Sequence, residues 1–355
     1  MFITGLGTAT PPHRYSQQEC WEVLKTSEKY HQLNQRAQAV LKKVLRGDNG
    51  IRTRHLALDD LSDAFRLTPD ELYARFTKHA PVVATAAAER ALARSGNQAQ
   101  EIDAIIVSTC TGYMCPGLTS YVSERLGLRP DVLALDLVGQ GCGAALPNLR
   151  TAEALLASRR VQRVLSICVE ICSAAFYLDE DLGVLISACL FGDGAAAAVL
   201  AEEPNEKSRR IEWKAAGTTL SAADRDHLRF EQRGGMLRNM LSVQVPGLAA
   251  RHAETVLVEV LGRAGARRES IAAWILHPGG REVLLAMQEK MGLSEHDLRW
   301  SAEILRDYGN LSSPSVLFVL EAALADTVPN GLWWMSSFGA GFSCHGALLE
   351  VTAAS

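Results

Sequence analysis

The chain has no surplus of positive charge. Its 36 Lys and Arg face 40 Asp and Glu, a formal net charge of −4. That leaves no electrostatic footprint for nucleic-acid binding. It has no CxxC pairs at zinc spacing, so its eight cysteines read as reduced cytosolic thiols rather than a disulfide or metal framework. Cys168 and Cys172 are four apart but lack further ligands, and no metal is expected. There is no basic region at the start. Met1-Phe-Ile-Thr-Gly-Leu-Gly-Thr-Ala-Thr-Pro11 reads as a strand and a loop, not a secretory signal. The most apolar stretch, 183–200, is broken by Gly192-Asp-Gly194, so no membrane span is expected. Together these absences predict a cytoplasmic protein.

What is present is a large apolar core. The 355 residues are 48% hydrophobic and 21% charged, enough for two packed subdomains. Residues 13–85 read as a charged, helical arm ahead of the first core helix. Strands are predicted at 102–109, 132–137, 162–169 and 194–201, and helices at 116–126, 143–158 and about 178–188. The second half repeats the alternation: strand 211–219, helix 247–264, strand 271–276, helices 280–290 and 312–325, then strands 331–338 and 344–351. This pattern predicts α/β layers with mostly parallel central strands.

Cys142 is the most informative residue. It lies in Val138-Gly-Gln-Gly-Cys142-Gly-Ala-Ala-Leu-Pro-Asn-Leu149, between a strand-like run and an Ala/Leu-rich helix. A thiol at a helix N-terminus faces unpaired N–H groups and the positive end of the macrodipole, and both favour thiolate. A depressed pKa is therefore expected. The alternative is a small buried hydrophobe, the usual fate of a free cysteine. Trp274-Ile-Leu-His277-Pro-Gly-Gly280 places a histidine at a strand end, and Tyr308-Gly-Asn310-Leu-Ser-Ser-Pro-Ser-Val316 places an asparagine just ahead of an apolar helix. A histidine can meet a thiol or a carbonyl oxygen, and an amide can bind an oxyanion. Either residue alone is more often structural.

An internal repeat makes the three a set. Leu92-Ala-Arg-Ser-Gly96 and Ile102-Asp-Ala-Ile-Ile-Val-Ser108 lie without a gap on Leu261-Gly-Arg-Ala-Gly265 and Ile271-Ala-Ala-Trp-Ile-Leu-His277, at an offset of 169. Glu153-Ala-Leu-Leu-Ala157 matches Glu321-Ala-Ala-Leu-Ala325 at an offset of 168, which carries Cys142 onto Asn310. The halves read as copies of one unit. Residues 1–210, with the arm at about 13–85, would carry the cysteine, and 211–355 the histidine and asparagine. A two-fold arrangement would set the helices after Cys142 and Asn310 side by side, with His277 reaching the same spot.

The order Cys142, His277, Asn310 within two similar halves resembles the thiolase fold. His277-Pro-Gly-Gly280, Tyr308-Gly-Asn310-Leu-Ser-Ser and Leu190-Phe-Gly-Asp-Gly194 are similar to type III polyketide synthases, the chalcone and stilbene synthase family. The resemblance covers nearly the whole chain. It implies a homodimer that loads an acyl group from coenzyme A onto cysteine, decarboxylates malonyl-CoA, condenses and cyclises. It implies Cys142 as nucleophile, His277 as its imidazolium partner, and His277 with Asn310 as the holders of the thioester oxygen of malonyl-CoA. Phe191 would be a gate beside the cysteine, and Ser312 would support a water network. Gly279 and Gly341 are expected at the substrate, the latter in Phe338-Gly-Ala-Gly-Phe342, whose backbone would approach the sulfur. No cofactor is implied beyond the coenzyme A thioesters themselves.

The departures from plant members matter. A second gating phenylalanine falls near Asn239, and Ala340 stands where they have proline. Cys110, Cys115 and Ala175 match wall positions and are small. Small walls leave room for a long chain, so the look is closest to bacterial alkylresorcinol and alkylpyrone synthases with fatty acyl-CoA starters. Lys42, Lys43, Arg46, Arg52 and Arg54 lie in a segment similar to the family's coenzyme A arm. An initiating β-ketoacyl-carrier-protein synthase shares the fold and triad. A papain-like hydrolase shares the residue order, though not the repeat. A non-catalytic lipid-binding relative is the remaining alternative.

Overall fold

The structure is a computed structural model describing residues 1–327 and 329–354. It opens with β1 (Phe2–Ala9), buried along its whole length. The arm comprises β2 (Arg14–Ser16), α1 (Gln17–Leu24), α2 (Glu28–Gln32), α3 (Gln35–Arg46) and β3 (Thr53–His55). Ser16 and Glu19 form a reciprocal capping box on α1. In α3, Ala37, Leu41 and Leu45 recur every fourth residue and turn inward. Two features of the arm differ from expectation. It is not helical throughout, since β2 pairs antiparallel with β3. The core helix α4 (Pro69–Ser95) begins well inside the span assigned to the arm, because Thr68, Pro69 and Glu71 complete an N-terminal cap there.

Next come β4 (Ala104–Ser108), α5 (Leu118–Leu126), β5 (Leu133–Leu137), α6 (Ala145–Ala157), β6 (Arg163–Glu170), α7 (Leu182–Leu190) and β7 (Gly194–Ala201). Then follow β8 (Arg210–Leu220), the hairpin β9 (Leu228–Arg233) and β10 (Met236–Leu241), α8 (Val245–Ala264), β11 (Ile271–Leu276), α9 (Arg281–Met291), α10 (Arg299–Tyr308), α11 (Ser315–Ala325), β12 (Gly331–Gly339) and β13 (Ser343–Thr352). The β9–β10 hairpin and α10 were not foreseen.

Nine strands form one sheet in the order β11-β12-β13-β8-β1-β7-β6-β4-β5. Outward from its centre, β1-β7-β6-β4 on one side is matched by β8-β13-β12-β11 on the other. The sequence repeat is thus also a repeat of topology. Parallel pairing is confined to the two ends, β5-β4-β6 and β11-β12. The central pairs are antiparallel, which corrects the expectation of mostly parallel central strands. Continuous apolar runs report burial on both faces, not strand direction. In β7, Ala196, Ala198 and Leu200 pack with α6 and α11, while Ala195, Ala197 and Val199 pack with α4. The first cluster joins strand faces from both halves to α6 and α11. Those helices form a central layer, with α4 outside one half and α8 and α9 outside the other. The architecture is layered α/β of the thiolase-like kind, and the central helices carry the site at their N-terminal ends.

Candidate active site

Cys142 sits in a single 3₁₀ turn, Gly141–Gly143, just ahead of α6. Gly141 has φ +55°, a conformation glycine adopts without strain. A Cβ on Gly339 would lie 2.3 Å from the Gln140 carbonyl and 2.5 Å from the Gly143 nitrogen. The end of β12 therefore meets the cysteine turn backbone to backbone, as the glycine-rich Phe338–Phe342 stretch suggested. Gly341 itself borders an outer groove rather than the sulfur.

Hydrogen bonds tie the distant segments together. Ser312 Oγ donates to Cys142 Sγ at 3.2 Å. The Ser312 N–H donates to Asn310 Oδ1 at 2.8 Å, and Asn310 Nδ2 donates to the Gly279 carbonyl at 3.0 Å. The Asn310 N–H donates to the Leu190 carbonyl, and Gly192 N–H to the Asn310 carbonyl, each at 2.9 Å, which sets Phe191 beside Asn310. Ser312 thus links Cys142 to Asn310, and Asn310 reaches the backbone of Gly279, two residues beyond His277. His277 is fully buried, and the edge-to-face ring of Phe338 is 5.1 Å away. Neither of its ring nitrogens has a hydrogen-bond partner among the described residues. Burial without a counter-charge lowers the imidazole to about 3, and burial raises the Cys142 thiol to about 12, although the Ser312 hydroxyl opposes this. Both shifts favour the neutral forms and oppose the acidic thiol expected from the helix start. The Gly143 and Ala144 N–H groups are spent closing the turn, and the Cys142 N–H favours thiolate without outweighing desolvation.

One functional group was missed. Glu170, fully buried at the end of β6, accepts from the Ser313 hydroxyl at 2.6 Å, the Thr111 hydroxyl at 2.9 Å, the Cys110 N–H at 3.0 Å and the Ser312 hydroxyl at 3.4 Å. Burial pushes its carboxyl above the usual range even against those donors. Ser312 thus stands between a carboxyl and the thiol, able to pass a proton either way. The signal available in the sequence was a lone acid closing the apolar run Arg163–Glu170.

Cys142, Phe191, Ser312, Cys110 and Ala175 all line one cavity, as do Asn239, Cys172 and Phe230. Cys115 does not. It is exposed, on the far side of the Thr111–Cys115 loop, because a matched position says nothing about which face of a monomer it lies on. Arg54 is not at the surface either. It is buried, and its Nη1 donates to the carbonyls of Ala188 and Phe191. A long side chain at a strand end can turn inward to satisfy a helix C-terminus, so Arg54 holds the end of α7 and is unavailable to coenzyme A. Arg52 remains exposed and pairs with Asp307 at 3.0 Å.

A thiol lining a cavity, hydrogen-bonded to a serine that an asparagine amide holds in turn, on duplicated α/β halves, fits a thiolase-like condensing enzyme. Residues 9–231 match the family described as FAE1/Type III polyketide synthase-like protein, and residues 222–350 match the chalcone and stilbene synthase C-terminal domain. The chain belongs to the type III polyketide synthases. It is 31% identical over 353 residues to a 1,3,6,8-tetrahydroxynaphthalene synthase of Streptomyces peucetius subsp. caesius, covering 98% of this chain and 92% of that one. It is 28% identical over 363 residues to the alpha-pyrone synthesis polyketide synthase-like Pks18 of Mycobacterium tuberculosis, covering 98% and 91%. The structure of PKS-I from the brown alga Ectocarpus siliculosus superposes with a TM-score of 0.88 at 26% identity, covering 99% of this chain and 98% of that one. The protein is an acyltransferase that uses acyl-CoA and malonyl-CoA in decarboxylative condensation. The carrier-protein synthase, hydrolase and non-catalytic readings are set aside. Among the described residues, no helix is long and apolar enough to cross a membrane.

Proposed function

We propose that this enzyme loads a long-chain fatty acyl group from coenzyme A onto Cys142, extends it with malonyl-CoA and cyclises it to an alkylresorcinol- or alkylpyrone-type product. The observation that carries the reading is the wall of the cavity above Cys142. Cys110, Cys172, Ala175 and Ala188 are small, Asn239 stands on the hairpin side, and the remaining lining is mostly apolar. Each methylene removed from water there is worth ~0.8 kcal/mol.

In this reading Cys142 attacks the starter thioester while His277 takes its proton. The neutral resting pair supports transfer during attack rather than a standing thiolate. His277 and the second amide hydrogen of Asn310 then stabilise the enolate oxygen as carbon dioxide leaves malonyl-CoA, charge that exists only as the transition state forms. The Cys142 N–H, turned towards its own sulfur, suits the tetrahedral oxyanion. Phe191 gates the cavity, and Ser312 with Glu170 shuttles protons. Gly279, held by Asn310, shapes the malonyl side. No cofactor beyond the coenzyme A thioesters is needed.

Coenzyme A phosphates would meet Arg52. The Arg52 N–H bonds to the Arg306 carbonyl, and the exposed Arg306 and Arg281 flank the same rim. We infer a homodimer. Among the described residues the edge strand β5 pairs on one side only, and Leu133 on it, Val138 just beyond it and Tyr113 are exposed apolar side chains that a second copy would cover. Cys115 lies in the same loop as Tyr113, which accounts for its place outside the monomer's cavity. The protein works in the cytoplasm, with residues 1–210 and 211–355 as its two halves. Incubation with acyl-CoAs of graded length and labelled malonyl-CoA, with products weighed by mass, tests the reading. Long alkyl products support it. Products from malonyl-CoA alone, or from short or aromatic starters only, contradict it.

A further inference from the structure

The β9–β10 hairpin is a two-stranded ribbon separate from the main sheet, and it walls one side of the cavity that Cys142 lines. Its antiparallel register sorts the side chains onto two faces. One face carries Arg238, which pairs with Glu231 across the ribbon and with Asp179 ahead of α7, each at 2.7 Å. Those ion pairs fasten the hairpin over the cavity. The other face carries Leu228, Phe230, Leu237, Asn239 and Leu241, with Gln232 at the exposed tip. Leu241 packs on the cluster of Cys142, Cys172 and Phe191. Leu228, Phe230 and Asn239 line the cavity with that cluster.

Leucine and phenylalanine suit such a wall, and asparagine does not. Asn239 is 8% exposed, and its side chain makes no hydrogen bond among the described residues. A buried amide without a partner is costly and rare in folded proteins. Its surroundings offer no relief. Phe230 lies directly across the ribbon, and the nearby hydroxyls are engaged elsewhere, Ser312 with Cys142 and Thr111 with Glu170. The unmet bond therefore faces whatever enters the cavity.

An alkyl starter brings no polar group beyond its thioester. Each condensation adds one ketone to the chain on Cys142, and those oxygens need a donor of their own, because His277 and Asn310 serve the malonyl thioester. Side chains on one face of a strand recur about every 7 Å. Asn239 thus stands one step beyond Leu241 and the cysteine cluster, level with the body of a growing chain rather than with its reacting carbon.

We propose that Asn239 determines product length: its amide donates to a ketone of the growing chain and holds that chain in place for a further extension. The proposal rests on the condensation reading above and adds what the hairpin recognises. The apolar residues of the same face suit the alkyl part of the intermediate, so one wall serves both parts. At this position plant members carry a ring, and this chain carries a hydrogen-bond donor.

The test compares loading with extension in the full-length protein. Asn239→Leu keeps the bulk and removes the amide. With a long-chain acyl-CoA and labelled malonyl-CoA, its ratio of longer to shorter products should fall roughly two- to tenfold, the range of one hydrogen bond. Single-turnover acylation of Cys142 should fall less. Asn239→Gln keeps the donor and should recover part of the ratio. Asn239→Ala replaces the leucine variant if that one melts below the wild type. An unchanged ratio without the amide would overturn the proposal. So would equal losses in acylation and extension, or a glutamine variant no better than the leucine one. Failure of the long-chain acyl-CoA to acylate the wild type would overturn the starter reading alone. The same variants, run with whichever acyl-CoA does load Cys142, would still decide for or against Asn239.

Discussion

Ser312 Oγ lies 3.2 Å from Cys142 Sγ and 3.4 Å from Glu170 Oε1. One hydroxyl therefore joins the proposed nucleophile to a buried carboxyl contributed by a different strand. A thiolate forming in this dry cavity has that hydroxyl as its nearest donor, and a hydrogen bond to a charged group contributes ~1.5–3 kcal/mol. Ser312→Ala should slow single-turnover acylation of Cys142 by about tenfold or more, with little change in thermal stability. Equal acylation rates would show that the contact does not stabilise the sulfur.

The thiol at about 12 and the imidazole at about 3 give a neutral resting pair, and this fixes the form of a pH titration. Inactivation by iodoacetamide should keep rising through pH ~8.5, where an ordinary thiol is half ionised. A plateau reached at pH ~5 to ~7 would reveal a standing imidazolium–thiolate pair instead.

Burial of neutral imidazoles also sets the acid stability. Unfolded histidine binds its proton near pH ~6.5, whereas folded His277 and His345 do so only at about 3 and about 4. Below pH ~6.5 the unfolded chain therefore holds more protons. The stability these groups provide is complete above that pH and is lost as pH falls. Relative to wild type, His277→Gln should recover up to ~1.4 kcal/mol per pH unit between pH ~6.5 and ~4 in urea denaturation. Glu170 and Asp193, raised by burial, act in the opposite sense but equally in both proteins. Parallel pH curves for the two proteins would contradict the assignment.

Asn310 holds the Ser312 N–H and the Gly279 carbonyl and keeps one amide hydrogen for an oxyanion. Asn310→Ala should reduce malonyl-CoA decarboxylation ~100- to ~1000-fold, and cysteine acylation less. Equal losses in both half-reactions would make Asn310 a scaffold rather than an oxyanion donor.

Much of this site was legible because its chemistry is tied to local pattern. The offset that lays Cys142 on Asn310 reflects two helices packed side by side in the central layer, and β7 and β11 fall where the apolar runs placed them. What was not legible depends on tertiary contact. Glu170 looks like any strand-end acid until donors from two separate segments, 110–111 and 312–313, meet it. Arg54 lies in the short strand β3 and Arg52 just ahead of it, and only the fold shows that Arg54 turns inward. Cys115 and Ala175 are both small, yet one faces solvent and one the cavity. Strand direction was misread because an apolar run encodes burial alone. The desolvation around the thiol, which opposes the helix start, is likewise absent from the local pattern.

The most direct test is to find where the acyl group rests. The wild-type protein is incubated with a long-chain acyl-CoA without malonyl-CoA, digested, and its peptides weighed. The acyl mass should appear on the peptide containing Cys142 and vanish in Cys142→Ala. Acyl mass on Cys110 or Cys172, which line the same cavity, or on no cysteine at all, would contradict the account.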